Sequence, residues 1–312
     1  MARTGLSALA RDVALAAWYG DSPPKDFRRE ALWDEEGNAV VREALAADRP
    51  VLVGRLGSSE LACASFYVRW RLGRGVRPAY PKSLQHAMGM NTGMFPTDGA
   101  SLDRFAEVFL DAVSKTDVMG VSFNRNEHRI VRRFCPDARL VQLDALNPVL
   151  RQDPWSSLLS GRVVLVVHPF AKTIESQYLS RRALLFADPR TLPEFELKTL
   201  VAVQSGAGGQ CGHATWFEAL DHMCGEIARI DFDVAIIGAG AYGLPLAAAV
   251  KDMGRQAVQL GGATQLLFGV RGRRWDVEYA DVMGPLMNEF WVRPSAAETP
   301  RDAGSVEGGC YW

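Results

Sequence analysis

The sequence predicts an α/β protein. It reads as a Rossmann-like, largely parallel sheet with helices on both faces, an N-terminal helical extension and an irregular C-terminal tail. Three observations carry this prediction. Short apolar runs alternate with segments of helical period along most of the chain. Two of the runs, 162–167 and 233–237, are continuous and rich in β-branched residues, as in strands buried on both faces. Several runs end in small or glycine-containing turns from which a helix departs, the pattern of βαβ units.

The elements follow in chain order. Residues 1–19 read as an amphipathic helix carrying Arg3, Arg11 and Asp12, and Ser22-Pro23-Pro24 reads as a connector. The extension ends near residue 37. The α/β domain spans 38–312, with lobes at about 38–158 and 159–312. Val51-Leu52-Val53 is expected as a strand and Leu61 to Trp70 as a helix. Leu102, Phe105, Phe109 and Val113 share one helical face ahead of a strand at 118–123. A helix over Glu127–Phe134 precedes a strand near Leu140. Further strands are expected at 162–167, 197–203, 233–237 and 255–260, with a helix over His213–Ile230. From about Asn288 the chain is rich in proline and glycine and reads as a tail.

Composition narrows the function. The chain has 312 residues, 48% hydrophobic and 23% charged, enough for a sizeable globular core. Its 35 basic and 36 acidic side chains give a net charge of −1, which argues against a nucleic-acid partner. The five cysteines, at 63, 135, 211, 224 and 310, form no CxxC pair, so free thiols are expected rather than a disulfide framework or a zinc site. No secretory leader is visible. The uncharged stretch Val234–Val250 is broken by glycines and Pro245 and falls short of the ~20 apolar residues of a membrane span. The chain therefore reads as cytoplasmic, without a transmembrane segment. The apolar face of the 1–19 helix is available to a second subunit, as in a homo-oligomer, or to peripheral contact with a membrane.

The candidate chemistry sits at strand ends. Gly238-Ala239-Gly240-Ala241-Tyr242-Gly243 fits GxGxxG between a strand and a helix. Such glycines let backbone approach a ligand, and the helix N-terminus favours phosphate. Pro245 suits the first helical turn and Gly254 the C-terminal cap. A dinucleotide site also wants an acid about 20 residues on, and the next strand ends Gln259-Leu260-Gly261-Gly262 without one. The turn thus points to a phosphate or nucleotide contact other than NAD, with a tight ligand-free turn as the alternative. Gly261-Gly262-Ala263-Thr264-Gln265 repeats the strand–turn–helix logic, so the two turns border one crevice. Thr264 is a candidate helix cap and Gln265 a candidate reader of a base or sugar edge.

His168 ends the 162–167 strand at Pro169, where an active site is placed in such folds, and Lys172 follows within one turn as a point charge for phosphate. A structural hydrogen bond and a solvated surface position are their plain alternatives. Earlier in the chain, Arg55-Leu56-Gly57-Ser58-Ser59-Glu60 is again strand, loop and helix. Ser58 or Ser59 can cap the helix and Glu60 complements its dipole. The functional reading makes Glu60 a general base or a metal ligand. Asn91 and Asn124 are candidate hydroxyl binders, and arginines recur nearby at 69, 71, 74, 77, 271, 273 and 274.

Together these motifs resemble the GT-D-type glycosyltransferases. The resemblance rests on the Arg55-x-Gly57-x-x-Glu60 loop and the VLVVHPF run at 164–170. It rests also on GAYGLPLA at 240–247, GGATQLLFG at 261–269, Trp275-Asp276 and the EGGCYW segment, and covers roughly 38–312. It implies binding of a nucleotide sugar, a UDP-sugar above all. The sugar would pass to a hydroxyl on a glycan, glycoprotein or lipid-linked acceptor. The same resemblance implies Mn or Mg held at the early loop, where related enzymes read Asp-x-Glu. Here Glu60 matches, but Ser58 stands in the aspartate's place. Arg55, Gly57 and Glu60 carry over from the resemblance by position, while His168 and Gln265 match no motif of the family. Together with the residues read from the strand-end turns, the expected nucleotide-sugar site comprises Arg55, Gly57, Ser58, Ser59, Lys172, Gly238, Gly240, Tyr242, Gly243, Gly262, Thr264 and Gln265, with Glu60 or His168 as base. The alternatives are a non-catalytic nucleotide-binding or assembly protein of the same fold, and another Rossmann-type enzyme using NAD or S-adenosylmethionine.

Overall fold

A computed structural model describes residues 21–72, 78–206, 211–301, 303–305 and 308–312. The helix expected over 1–19, and Arg74 and Arg77, lie outside the described residues. Seven strands form one sheet in the order β3-β2-β1-β7-β6-β4-β5, every neighbouring pair parallel. They are β1 Val51–Arg55, β2 Val118–Val121, β3 Arg139–Gln142, β4 Val163–His168, β5 Glu196–Val201, β6 Val234–Ile237 and β7 Gln256–Gln259. The fold is therefore α/β and Rossmann-like, as expected.

The continuous apolar runs have a simple cause. Side chains alternate across a strand, so a central strand covered on both faces needs apolar residues at every position. Leu165, Val167, Ala235 and Ile237 face one core, while Val164, Val166, Val234 and Ile236 face the other. On the first face lie α1 (Lys25–Glu30), α3 (Ser58–Phe66), α4 (Lys82–Met90), α5 (Gly99–Ser114), α6 (Glu127–Phe134), α8 (Trp216–Ala228) and α9 (Gly243–Asp252). The second face carries α2 (Asp34–Ala46), α7 (Ala171–Leu185), α10 (Ala263–Leu267), α11 (Arg273–Val277), α12 (Ala280–Met283) and the tail. Leu102, Phe105, Phe109 and Val113 are all buried on α5, as their spacing predicts. Gly254, at φ +82°, ends α9, and the N–H of Arg255 bonds back to the carbonyl of Val250, so the expected cap forms.

Two expectations are corrected. The boundary near residue 37 falls inside α2, whose Val40, Val41 and Leu45 belong to the second core. The lobes at 38–158 and 159–312 share one sheet, because β1 of the first half pairs with β7 of the second. All five cysteines are free, and no helix among the described residues is long and apolar enough to cross a membrane.

Candidate functional site

Helix placement opens a crevice over the middle of the sheet. The chain leaves β1 and β6 towards the first face, through α3 and α9, and leaves β4 and β7 towards the second, through α7 and α10. The order β1-β7-β6-β4 therefore sends connections to alternate faces, and a pocket remains beyond the carboxyl ends of these strands. It encloses about 130 Å³. Pockets that take up a whole drug-sized ligand hold roughly 300–1,000 Å³. This one accommodates part of a large ligand, with the remainder over its mouth.

Both glycine turns border the pocket because side chains would not fit there. A Cβ on Gly238 would stand 2.6 Å from His168 Cδ2 and 2.7 Å from the carbonyl oxygen of Gly261. Gly240, at φ +53°, turns the chain into a short 3-10 segment (Gly240–Tyr242) that runs into α9. The first N–H groups of such a turn have no partner within the helix, and Gly240, where the turn begins, lines the pocket. Gly243 brings α9 down onto β7, since a Cβ there would lie 3.1 Å from the Gln259 side chain. Tyr242 is buried, stacks on Trp216 at 4.8 Å and bonds to Ser205 Oγ at 2.8 Å. Ser205 donates its own proton to the carbonyl of Gly93, so the Tyr242 hydroxyl is the donor in that pair. Burial pushes the tyrosine's pKa up, and it remains neutral.

Arg55 ends β1. Its backbone N–H donates to Gln259 Oε1 at 2.9 Å, which ties β1 to β7 at the floor of the crevice. Its guanidinium packs against Gly261, which has φ +59° and whose absent Cβ would meet Nη2 at 2.0 Å. Among the described residues the guanidinium makes no hydrogen bond or salt bridge, and it is the one cation lining the pocket.

His168 is buried, and burial lowers its pKa to about 3. The N–H of Phe170 donates to its Nδ1 at 2.9 Å. The neutral ring therefore carries its proton on Nε2, which makes it a hydrogen-bond donor at the pocket and not a free base. Gln265 is also committed: its Nε2 donates to the carbonyls of Val270 (3.2 Å) and Tyr311 (3.1 Å). Its Oε1 is left buried and unpartnered, as is Thr264 Oγ1. Thr264 lies one residue inside α10, behind Gly238, and does not cap; Gly262 holds the cap position.

The remaining candidates lie elsewhere. Gly57 takes the N-cap of α3, and Ser58 and Ser59 are its first two residues, with no side-chain capping bond. Glu60 is the third. Its carboxylate folds back over Gly57, where a Cβ would meet it at 2.2 Å, the position from which a glutamate reaches a helix cap. Ser58 and Ser59 line a separate groove, and Glu60 lines neither. Lys172 is exposed on the outer side of the β4–α7 turn. So Arg55, His168, Gly238, Gly240, Tyr242, Gly262 and Gln265 share one pocket that Glu60 does not enter. Among the described residues no group of three His, Cys, Asp or Glu side chains is gathered for a metal ion. Ser58 is exposed, and the Glu60 carboxylate lies over Gly57.

Some pocket residues carried no local signal. Tyr311 and Trp312 wall the mouth: Tyr311 packs over Gly262, and the Trp312 ring meets Phe170 edge-on at 5.9 Å. Thr92 and Ser205 come from loops distant in sequence. Glu127, read only as part of a helix, is wholly buried beside the site. Burial raises its pKa to about 7, against the pull of the N–H groups of Ser122 and Asn124 and of the Arg55 charge.

Fold and pocket together define a Rossmann-like α/β protein with its cavity where ligands bind in such sheets. In comparisons with known proteins, the chain matches no family model, no curated protein and no solved structure. The geometry therefore carries the functional reading.

Proposed function

We propose that the protein binds a nucleotide sugar, a UDP-sugar in the first instance, across the ends of β1, β4, β6 and β7, and transfers the sugar to a hydroxyl acceptor. The observation that carries this reading is the unpaired Arg55 guanidinium facing a glycine-rich helix start across one pocket. An anionic diphosphate answers both: Arg55 forms charge-assisted hydrogen bonds with it, and the Gly240 turn offers backbone N–H groups. His168 Nε2–H donates a third contact. Phe170, Tyr311 and Trp312 give the apolar wall against which the remainder of the donor lies.

In the transfer, the bond from the anomeric carbon to the diphosphate oxygen breaks and a bond to the acceptor oxygen forms. The electron pair leaves on the diphosphate, where Arg55 and the turn stabilise it. No carboxylate among the described residues lines the pocket, so the acceptor's proton passes to the departing phosphate. Glu60 does not line the pocket, and no step is assigned to it. The same lack of a carboxylate favours a second reading, a nucleotide-binding protein without turnover.

Calorimetry with UDP, UDP-glucose and UDP-N-acetylglucosamine, together with release of UDP, decides between them. Binding that Arg55→Ala weakens, accompanied by UDP release, supports transfer. Binding without release with any acceptor supports the second reading, and no binding of any of the three removes both.

A further inference from the structure

A second cavity, of about 400 Å³, lies beside the pocket between α3, α4 and the β2–α6 loop. Its position is fixed by two short paths. Ser58 follows Arg55 by three residues, so one loop forms a wall of both cavities. Ala87 on α4 lines the groove, and Asn91, which caps the end of that helix one turn later, about 6 Å along its axis, lines the pocket.

The chemistry of its lining is uniform. Hydroxyls come from Ser58, Ser59, Ser65 and Ser83, and a carboxamide from Asn124. Among the described residues none of these side chains hydrogen-bonds another protein group, and Ser65 Oγ is buried as well as unpartnered. The Asn124 backbone is held in place, its N–H donating to the buried carboxylate of Glu127 at 3.0 Å. The floor is apolar, from Leu61, Ala62, Leu84 and Ala87. Neutral groups able both to donate and to accept, spread over an apolar floor, suit a ligand with many hydroxyls and C–H faces. A phosphate or carboxylate ligand would call for more fixed positive charge than Arg125, the one charged residue in the lining, supplies.

We propose that this groove binds a saccharide and that it seats the acceptor of the transfer. The acceptor role rests on the nucleotide-sugar reading above; the saccharide binding does not. Saturation-transfer NMR on the whole chain with methyl glucosides, galactosides and mannosides tests it. At least one glycoside is expected to receive saturation. Ala62→Trp, which fills the groove, should abolish the transfer, and the milder Asn124→Ala should weaken affinity at least fivefold. Arg55→Ala should leave it unchanged. Failure of every glycoside, or transfer that survives Ala62→Trp and Asn124→Ala alike, overturns the proposal. UDP binding, measured separately on the same variants, should persist in Ala62→Trp and weaken in Arg55→Ala, so the two readings fail independently.

Discussion

His168 accepts the backbone N–H of Phe170 at Nδ1, and this single bond sets what the ring does in the pocket. Protonation would break it and place a charge in a buried site. The pKa is lowered to about 3, below the ordinary histidine value, so the native state takes up fewer protons than the unfolded chain. The stability contributed is present above pH 6.5 and lost as pH falls towards 3. Between pH 7 and pH 5 the His168 share of the loss is about 2 kcal/mol. Denaturant unfolding of His168→Asn over this range should show a shallower decline than the native sequence.

Glu127 works in the opposite sense. Its pKa is raised from 4.5 to about 7, so its contribution is present at low pH and lost as pH rises through 7. Glu127→Gln should remove a loss of up to about 3 kcal/mol between pH 4.5 and pH 8. Unfolding free energies of variant and native protein at both ends of the range check the sign.

Arg55→Ala should weaken UDP by about 10- to 100-fold, the scale of a hydrogen bond to a charged group. The guanidinium leaves behind no hydrogen bond or salt bridge among the described residues, so apart from the loss of its charge near Glu127 the thermal midpoint without ligand should move little. A large fall in midpoint would place Arg55 in the framework of the fold.

Gly261→Ala probes the same contact from the other side. The residue sits at φ +59°, and its new methyl would collide with the Arg55 guanidinium. We expect a stability loss of about 1–3 kcal/mol, together with weaker UDP binding. Gly225→Ala, where a Cβ meets nothing within 4 Å, is the control.

Glu298 supplies the cap that α7 lacks locally. Its Oε1 accepts the N–H groups of Lys172 (2.9 Å) and Thr173 (3.2 Å), and its Oε2 bonds the Thr173 hydroxyl. Glu298→Ala should cost about 1–2 kcal/mol, as losing a helix cap does. Hydrogen exchange should quicken at Lys172 and Thr173 before it does in β4.

Most of the sheet was legible because burial on both faces writes itself into local composition, as in Val163–Val167 and Val234–Ile237. The glycine turns were legible for the same reason: Gly238 and Gly261 are forced by nearby backbone and side chains whatever the ligand. What the sequence concealed is the company each residue keeps. Glu60 and Arg55 are five residues apart, yet the turn at Gly57 folds one carboxylate back over the helix start and leaves one guanidinium in the pocket. Tyr311, Ser205 and Thr92 reach the site through tertiary packing alone, with no period or spacing to mark them. Thr264 looked like a cap because it is a threonine after two glycines, but α10 begins one residue earlier.

The place of β7 has a consequence for how the molecule assembles. This strand is made after the other six and lies between β1 and β6. Until it is synthesised, β1–β3 and β4–β6 have no strand to join them, and each half presents an open edge during translation. Contacts of such long sequence separation slow folding. The crevice closes only when β7 inserts, so a truncation or a pause ahead of residue 256 leaves two unjoined sheets and no Gln259 to hold Arg55 in place.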